Sequence, residues 1–389
     1  MTDLYLRDPD VTRLWVPFLD ARPISELRAG AWLIRERWEA IAGGETRGIF
    51  AREALHSFTE DSVPPIGPTL PVAGPAVVGR ADFAPAGVAP ELPKTTPARL
   101  VNDDDTVGWW VPEGATWEDG TGDDWDAVEL EGLMLHGAYD LVTALEMFLV
   151  ADVADFVQQG GDGLPEGCVI IGDPDDVVLL GARVEPGVTF DVREGVVVVE
   201  QHAYVKGGTR FEGPVYVGPG TEVLGGQIRA SAFGPRCRVR GEITDSVFLG
   251  YANKGHDGFV GHSAIGKWVN LGADTVTSNL KSTYGMMRVR VEDQNIETHR
   301  QKLGSLVGDH AKTAIGTLLD GGTVIGTGAN VFGAVRPPKY VRPFAWGLGE
   351  DLMNLEGFLT VATRVMPRRN VTVTDEVRQM LQDVYRAAT

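Results

Sequence analysis

Short β-strand signals separated by glycine fill residues 168–345 and restrict the possible folds more than any other feature of the chain. The local spacing is five or six residues, and a six-residue period is typical of a parallel β-helix of hexapeptide type. Hexad coils of this type wind left-handed, so we predict a left-handed parallel β-helix rather than a β-sandwich, which would show longer and steadier turn spacing. The pattern is an apolar residue followed by Gly, at Ile171, Leu180, Val217, Leu224, Phe233, Leu249, Val260, Ile265, Leu271, Val307, Ile315 and Ile325.

Amphipathic helices are predicted on both sides of this repeat. Apolar residues recur there at intervals of three and four, which is the period of one helix face. The final segment opens with Thr374-Asp375, a typical N-cap pair. The predicted helices cover residues 24–42, 138–158, 349–369 and 374–387.

The chain therefore has an α+β organisation in three parts. Residues 60–128 are dense in Pro, Gly and Asp and predict short strands, so residues 1–160 form a small α/β domain. The break QQGGDGLPEG separates this domain from the β-helix at 168–345. Residues 346–389 form a helical extension that covers the open end of the β-helix.

Composition excludes several classes of partner. The formal net charge is −19, spread along the chain, and this charge would repel nucleic acids and anionic membranes. Cys168 and Cys237 cannot form a disulfide framework, and no spacing resembles a zinc site, so no metal ligands are predicted. The charged N-terminus lacks a signal peptide and no apolar run is long enough to span a bilayer. We expect a cytoplasmic protein.

A histidine in an irregular loop is the main candidate for chemistry. His256 lies between two glycines in Lys254-Gly255-His256-Asp257-Gly258, where the repeat spacing breaks, and such a loop can present an imidazole to a substrate. Imidazole suits a general base, although a surface histidine is the more common role. Asp274 follows about one coil later and is a candidate to orient the imidazole. His262 is interpreted as part of the repeat.

Polar residues around this loop suggest a sugar phosphate as substrate. Asn270, Ser278 and Asn279 could hydrogen-bond a sugar, and Lys254 or Lys281 could contact a phosphate group.

The stretch GHDGFVGHSAIGKWVNLGADTVTSN resembles the acetyltransferase half of the bifunctional N-acetylglucosamine-1-phosphate uridylyltransferase/glucosamine-1-phosphate acetyltransferase family. The whole chain is similar to a bacterial group of GlmU-like sugar nucleotidyltransferases. The shared stretches are RPISELRAG…IRERWE (22–39), GYANKGHDGFVGHSAIGKWVNLGADTVTSNLKSTYG (250–285), GDHAKTAIGT (308–317), GTVIGTGANVFG (322–333) and PPKYVRPFAWG (337–347).

The resemblance implies a homotrimer of β-helices that binds acetyl-CoA or another acyl-CoA between its prisms. It assigns His256 as the base that deprotonates a sugar amine. Asn279 matches a catalytically important asparagine, Asn270 a sugar-contacting asparagine, and Ala273 an alanine near the acyl-CoA site. Phe259 falls at a substrate-contacting tyrosine.

Three positions depart from the family pattern. Phe259 lacks the tyrosine hydroxyl, Thr244 stands where a substrate-binding lysine is expected, and Asp274 replaces a glycine. These departures leave open an acceptor other than glucosamine 1-phosphate, or the absence of acyl transfer.

The N-terminal domain is further from its expected pattern. A sugar-phosphate nucleotidyltransferase begins with a strand and a glycine-rich loop that binds nucleotide phosphates. Leu27-Arg28-Ala29-Gly30 copies part of that loop, but the segment lies in a helical pattern, and we interpret the likeness as chance. The only dense acidic run, Asp103-Asp104-Asp105, is typical of an exposed loop rather than a Mg²⁺ site.

Three functions remain open at this point. The chain could combine nucleotidyl transfer, with a nucleoside triphosphate and Mg²⁺, and acyl transfer to an aminosugar phosphate. It could keep nucleotidyl transfer alone, with a structural β-helix. It could also be a non-catalytic trimer that binds a sugar phosphate or nucleotide sugar.

Overall fold

The computed structural model describes residues 2–10 and 13–389, as an N-terminal domain of strands and helices, a parallel β-solenoid and C-terminal helices. The N-terminal strands are β1 (Asp3–Arg7), β2 (Arg28–Ala29), β3 (Trp32–Leu33), β4 (Thr46–Phe50), β5 (Val72–Ala73), β6 (Ala76–Arg80), β7 (Phe83–Pro85), β8 (Ala98–Asn102), β9 (Asp105–Val111), β10 (Thr116–Trp117), β11 (Asp126–Glu129) and β12 (Gly132–Met134). The helices of this part are α1 (Ile34–Ala42) and α2 (Asp140–Ala154).

A six-stranded mixed sheet forms the centre of the N-terminal domain, in the order β11-β8-β9-β6-β1-β4. Strand β1 runs parallel to β4 and β6, whereas β9 runs antiparallel to both of its neighbours. Leu4 and Leu6 are buried and alternate with partly exposed residues, which is the period of a strand with one covered face. Trp38 of α1 packs against this sheet, where Gly79 leaves room for its ring.

The helix predicted for residues 24–42 is wrong over its first ten residues. Residues 24–26 form a 3₁₀ turn, and β2 and β3 form an antiparallel hairpin before α1 begins at Ile34. Gly30 lies at the hairpin tip with φ +75°, and a Cβ there would clash with the Asp152 carboxylate. Leu27-Arg28-Ala29-Gly30 is therefore a hairpin strand and its turn, and the buried Ile24, Leu27 and Ala31 imitate the period of a helix face.

The β-helix prediction is confirmed by a parallel solenoid of about 10 turns over residues 169–346. Its strands are β13 (Val169–Ile171), β14 (Val177–Leu179), β15 (Arg183–Val184), β16 (Thr189–Asp191), β17 (Val197–Val199), β18 (Tyr204–Val205), β19 (Thr209–Val217), β20 (Glu222–Phe233), β21 (Arg238–Thr244), β22 (Val247–Phe248), β23 (Asn253–Lys254), β24 (Phe259–Gly261), β25 (Ala264–Ile265), β26 (Val276–Thr277), β29 (Leu306–Val307), β30 (Lys312–Thr313), β31 (Leu318–Leu319), β32 (Val324–Ile325), β33 (Asn330–Val331), β34 (Tyr340–Val341) and β35 (Ala345–Trp346). Two strands outside the solenoid, β27 (Arg288–Val291) and β28 (Gln294–Glu297), pair with each other, and β36 (Asp351–Leu352) pairs antiparallel with β35. Seven of the predicted repeat residues point inward and join one continuous buried core, namely Val217, Phe233, Val260, Ile265, Leu271, Val307 and Ile325. Ile315 does not, because its side chain is 78% exposed.

A ladder of serines shows how the length of each turn varies. The Ser231 hydroxyl accepts from the Ser246 amide, 15 residues on. The Ser246 hydroxyl accepts from the Ser263 amide, 17 residues on. The Ser263 hydroxyl accepts from the Ser305 amide, 42 residues on. The chain leaves the solenoid within this last interval and forms an antiparallel arm from β27 and β28.

Helices α3 (Leu355–Val365) and α4 (Asp375–Ala388) complete the chain. The Thr374 hydroxyl accepts a hydrogen bond from the Val377 amide at 3.3 Å, so the predicted N-cap is observed. Both helices bury apolar side chains against Phe344 of the solenoid and Phe58 of the N-terminal domain. They therefore join the first and last parts of the chain.

Helix α2 lies within the predicted helix at 138–158 and packs on β19 and β20 of the solenoid. Among the described residues, no helix combines the length and apolarity needed to cross a membrane.

Candidate functional site

The loop after β23 presents His256 to solvent. The His256 side chain is exposed, and among the described residues its imidazole has no hydrogen-bond partner. The loop backbone is nevertheless fixed, because the Lys254 ammonium donates to the carbonyls of His256, Asp257 (2.8 Å) and Arg240 (3.4 Å). An accessible imidazole on a fixed loop is the arrangement that a general base requires.

Lys254 occupies an inward position of the solenoid, one turn after Val239, and is fully buried. Burial lowers the pKa of the Lys254 ammonium to about 8. In this conformation the ammonium faces the loop carbonyls rather than solvent. Its charge supports the His256 loop, and the predicted contact with a phosphate would require the loop to open.

In the next turn of the solenoid, Asp274 lies beside Asp257 rather than beside His256. The Asp274 amide donates to the Asp257 carbonyl at 3.0 Å. Asp274 is exposed with φ +58°, and its side chain makes no hydrogen bond to His256. The coil length estimated from the sequence was one residue too long at this point.

Two of the predicted residues meet above Gly261. A Cβ at Gly261 would lie 2.5 Å from the Phe259 ring and 2.6 Å from the Asn279 amide nitrogen, so both side chains cover this glycine. Phe259 and Asn279 are half-buried. The structure thus brings together the aromatic and amide side chains that the sequence predicted, and glycine makes their close approach possible.

His262 completes this cluster and was missed by the sequence interpretation, which assigned it to the repeat. Its Nδ1 lies 2.9 Å from the Asn279 amide nitrogen, and its Nε2 lies 3.7 Å from an Asp245 carboxylate oxygen. Burial, opposed by Asp245 and aided by neighbouring cations, lowers the pKa of His262 to about 4. The neutral ring therefore accepts from Asn279 at Nδ1. His262 and Asn279 are 17 residues apart, which is the length of the local solenoid turn, and this spacing is the sequence signal that indicates their contact.

The cluster lies where helix α2 meets the solenoid corner. Glu146 of α2 approaches His262 Nε2 at 4.0 Å and pairs with Arg300 at 2.5 Å. On the other side, Asp245 accepts from Arg229 at 3.1 Å and from Thr244 at 2.5 Å. Thr244, which replaces the expected lysine, thus holds a carboxylate that faces His262.

Asn270 and Ala273 lie on the turn that follows the His256 loop. Asn270 accepts a hydrogen bond from the Asn253 side chain at 2.8 Å, which fixes its amide. The carbonyl of Ala273 accepts from the Gly316 amide at 2.8 Å. Ile315, one residue before this glycine, is 78% exposed and leaves an apolar surface beside Ala273.

Lys281 lines a cavity to which Phe259, His262 and Asn279 do not contribute. Its ammonium donates to the Met286 carbonyl, and the residue lines a cavity of about 350 Å³ together with Asp320 and Lys339 at the base of the arm. Its predicted contact with a phosphate at the His256 loop stays a prediction.

The segment that follows β1 does not carry the glycine-rich sequence of a phosphate-binding loop. Residues 8–23, which follow β1, contain no glycine. Asp8 accepts from the Ile24 amide at 3.1 Å, and Asp82 accepts two hydrogen bonds from Arg80, at 2.9 and 2.7 Å. Burial raises the pKa of Asp8 to about 7. These carboxylates do not fit Mg²⁺, because amide and guanidinium donors already occupy their oxygens.

The acidic run Asp103-Asp104-Asp105 forms the turn between β8 and β9, where Asn102 pairs with Asp105. All three carboxylates are exposed, as expected for a loop. Within residues 2–10 and 13–389, no group of three His, Cys, Asp or Glu side chains is arranged to hold a metal ion.

Parts of the chain are similar to a known family and to known proteins. Residues 6–159 match the family described as Sugar nucleotidyl transferase. A Bifunctional sugar-1-phosphate nucleotidylyltransferase/acetyltransferase of Sulfurisphaera tokodaii is 32% identical over 36% of this chain and 37% of its own length. Proteins named Bifunctional protein GlmU from Methanocaldococcus jannaschii and Methanococcus maripaludis are 31% and 34% identical, each over 22% of this chain and 21% of their own length. The chain thus matches well under half of each of these relatives.

Proposed function

We propose that the solenoid of this chain transfers an acyl group from acyl-CoA to the amine of an aminosugar phosphate, a proposal supported by the similarity of part of the chain to bifunctional sugar-1-phosphate nucleotidylyltransferase/acetyltransferase. The observation that supports this proposal most directly is the His256 loop. Its imidazole is exposed and bonded to none of the described side chains, while three carbonyls of the surrounding backbone are bonded to the buried Lys254.

In the proposed reaction the sugar amine attacks the thioester carbonyl. A C–N bond forms and the C–S bond breaks, while His256 takes a proton from the attacking nitrogen and the CoA thiolate leaves. His256 is free to act as this base because it is not committed to any hydrogen bond with a described residue.

The residues above Gly261 would receive the sugar. The Asn279 amide nitrogen donates a hydrogen bond to His262, so the Asn279 carbonyl oxygen points away from His262. This oxygen can accept a hydrogen bond from the substrate amine or from a sugar hydroxyl. The Phe259 ring supplies an apolar wall beside it. The exposed Ile315 and the adjacent Ala273 offer an apolar surface for the acyl-CoA chain.

A homotrimer would supply the second wall of the acyl-CoA site. Large apolar side chains are exposed on the late turns of the solenoid, as on surfaces that meet other chains. They are Ile315, Phe332, Val335, Trp346, Leu348 and Leu352. Light scattering during size-exclusion chromatography should give three times the chain mass of 41.9 kDa. A monomeric mass at micromolar concentration would exclude the trimer.

The acyl-transfer proposal is tested by thioester cleavage with acetyl-CoA and a panel of aminosugar phosphates. We expect His256→Ala to lower kcat by roughly 10²-fold or more, the usual contribution of a general base. His136→Ala, which removes another exposed histidine, serves as the matched control and should retain full activity. Absence of thioester cleavage by the native chain with every acceptor would reject the proposal.

Nucleotidyl transfer by the N-terminal domain is the second candidate, supported by the family match over residues 6–159. The lack of a glycine-rich loop after β1 weighs against it. Release of pyrophosphate from nucleoside triphosphates, Mg²⁺ and sugar 1-phosphates tests this activity. If neither reaction occurs, ligand-induced shifts in Tm would test the remaining alternative, a non-catalytic binder of sugar nucleotides.

A further inference from the structure

A cavity of about 750 Å³ lies where all three parts of the chain meet. None of the site residues predicted from the sequence lines it. Its walls come from residues 21–36 and 58–62 of the N-terminal domain, from the solenoid, and from residues 366–384 of the C-terminal helices. This volume is typical of sites for small molecules.

Arg28, in the wall of this cavity, differs from the other buried arginines. Arg22, Arg35 and Arg37 each form an ion pair with a carboxylate. Arg28 is 6% exposed and pairs with no carboxylate among the described residues. Its guanidinium donates to the Ala31 carbonyl, while its Nε is buried and, within the described part of the chain, has no hydrogen-bond partner.

A buried guanidinium without a counter-ion is costly, and an anionic ligand would offset that cost. The nearby carboxylates do not take this place: Glu36 accepts from the Leu33 amide at 2.7 Å, and Glu200 accepts from the Tyr216 hydroxyl at 3.1 Å. Arginine binds phosphate through parallel hydrogen bonds, so a phosphate group fits the unpaired guanidinium.

Aromatic rings lie beside this charge. The Arg28 guanidinium carbon is 5.7 Å from the centre of the Tyr216 ring, and Trp32 lies 6.3 Å from the same ring. Tyr251 and Trp268 form a stacked pair elsewhere in the wall. Such surfaces bind flat rings or sugar faces, and hydroxyl and amide groups of the C-terminal part are available for ring substituents. These polar groups belong to Asn370 and Thr372.

We propose that this cavity binds a phosphate ester that carries a ring, such as a nucleotide or sugar phosphate, with its phosphate at Arg28. The site is separate from the proposed acyl-transfer site at His256 and does not depend on it. Because three parts of the chain enclose the cavity, a bound ester would contact all of them and stabilise their packing.

Titration calorimetry with UMP, glucose 1-phosphate and inorganic phosphate tests this inference. We expect at least one of the two esters to bind more tightly than inorganic phosphate. Arg28→Met should raise its Kd by about 10-fold or more, the usual effect of losing a charged hydrogen bond. Arg28→Lys keeps the charge but not the paired geometry and should give an intermediate Kd. Arg288→Met, at an exposed arginine of the arm, is the matched control.

The same titrations on the His256→Ala variant separate this inference from the acyl-transfer proposal, since His256 does not line the cavity. Unchanged affinity there, with no thioester cleavage by the native chain, would reject acyl transfer and retain the cavity site. Failure of all three probes to bind at millimolar concentration would overturn the inference. Equal affinity of native and Arg28→Met protein would also overturn it.

Discussion

The Asn279 side-chain amide donates a hydrogen bond to His262 Nδ1 across 2.9 Å, between two residues that lie one solenoid turn apart. Because the amide nitrogen binds His262, the amide oxygen of Asn279 is the end that faces away from His262. It also gives a role to a histidine that is buried, neutral and unable to contact solvent freely.

Removal of the His262 ring should therefore affect catalysis through Asn279. We expect His262→Leu to lower kcat for acyl transfer by about 10-fold, because the Asn279 amide can then rotate, with little change in the KM for acetyl-CoA. His262→Gln offers a carbonyl acceptor and should recover part of the loss. In NMR spectra the Asn279 side-chain NH₂ signals should be broadest in His262→Leu, sharper in His262→Gln and sharpest in the native protein. Identical NH₂ signals in all three proteins would show that His262 does not hold this amide.

Addition of one methyl group at Gly261 should displace both side chains that cover it. In Gly261→Ala the new Cβ would lie within 2.6 Å of Phe259 and Asn279, so these side chains must move while the solenoid backbone can stay. We expect acyl transfer to fall by about 10-fold or more, as positioning is lost, with only a small change in Tm. Gly163→Ala, where no atom lies within 4 Å of the added Cβ, is the control. Full activity of Gly261→Ala would place the substrate elsewhere.

The Asp274 side chain should contribute little to catalysis by His256. Asp274 is stacked on Asp257 and holds φ +58°, a conformation that asparagine adopts readily. We expect Asp274→Asn to fold normally and to leave the pH dependence of kcat/KM unchanged. A shift of the acidic limb of the pH–rate profile would instead support the orienting role predicted from the sequence.

Asp8 should make stability depend on pH between about 4 and 7. Its pKa is raised to about 7 by burial, so the folded chain keeps a proton that the unfolded chain releases above its ordinary pKa of 3.8. Stability contributed by the protonated group is therefore lost as the pH rises through this window. We therefore expect the free energy of unfolding of Asp8→Asn, relative to that of the native protein, to rise by roughly 2–4 kcal/mol between pH 4 and pH 7. Urea unfolding at a series of pH values measures this difference. A constant difference across this range would contradict the raised pKa.

The sequence predicted those elements whose period is repeated many times. The solenoid core, helix α2 and the Thr374 cap all follow from local patterns that packing reinforces. Residues 24–33 were assigned to a helix because Ile24, Leu27 and Ala31 are spaced as on a helix face. Ile24 is in fact buried in a 3₁₀ turn, Leu27 directly before the hairpin, and Ala31 in the hairpin turn whose tip requires Gly30.

The candidate site was only partly predictable, because it depends on register. His256, Phe259 and Asn279 were found from local sequence and resemblance, whereas the His262–Asn279 contact depends on the length of the local turn. Turn length varies along this solenoid, so a one-residue error moves Asp274 from Asp257 to His256. The ion pair between Arg300 and Glu146 could not be predicted, since it joins the arm to a helix that is distant in the sequence.

The arm between β25 and β29 also affects the order in which the solenoid assembles during synthesis. Earlier turns can pair as soon as the next coil has left the ribosome, but Ala264 has to wait for Leu306 on the far side of the arm. Closing this longer loop costs only about 0.8 kcal/mol more in chain entropy than closing an ordinary turn. The delay itself matters more, since an open strand edge is exposed throughout it and is available to other nascent chains. The arm thus lengthens the stage of biogenesis at which the edge of the growing solenoid is unprotected.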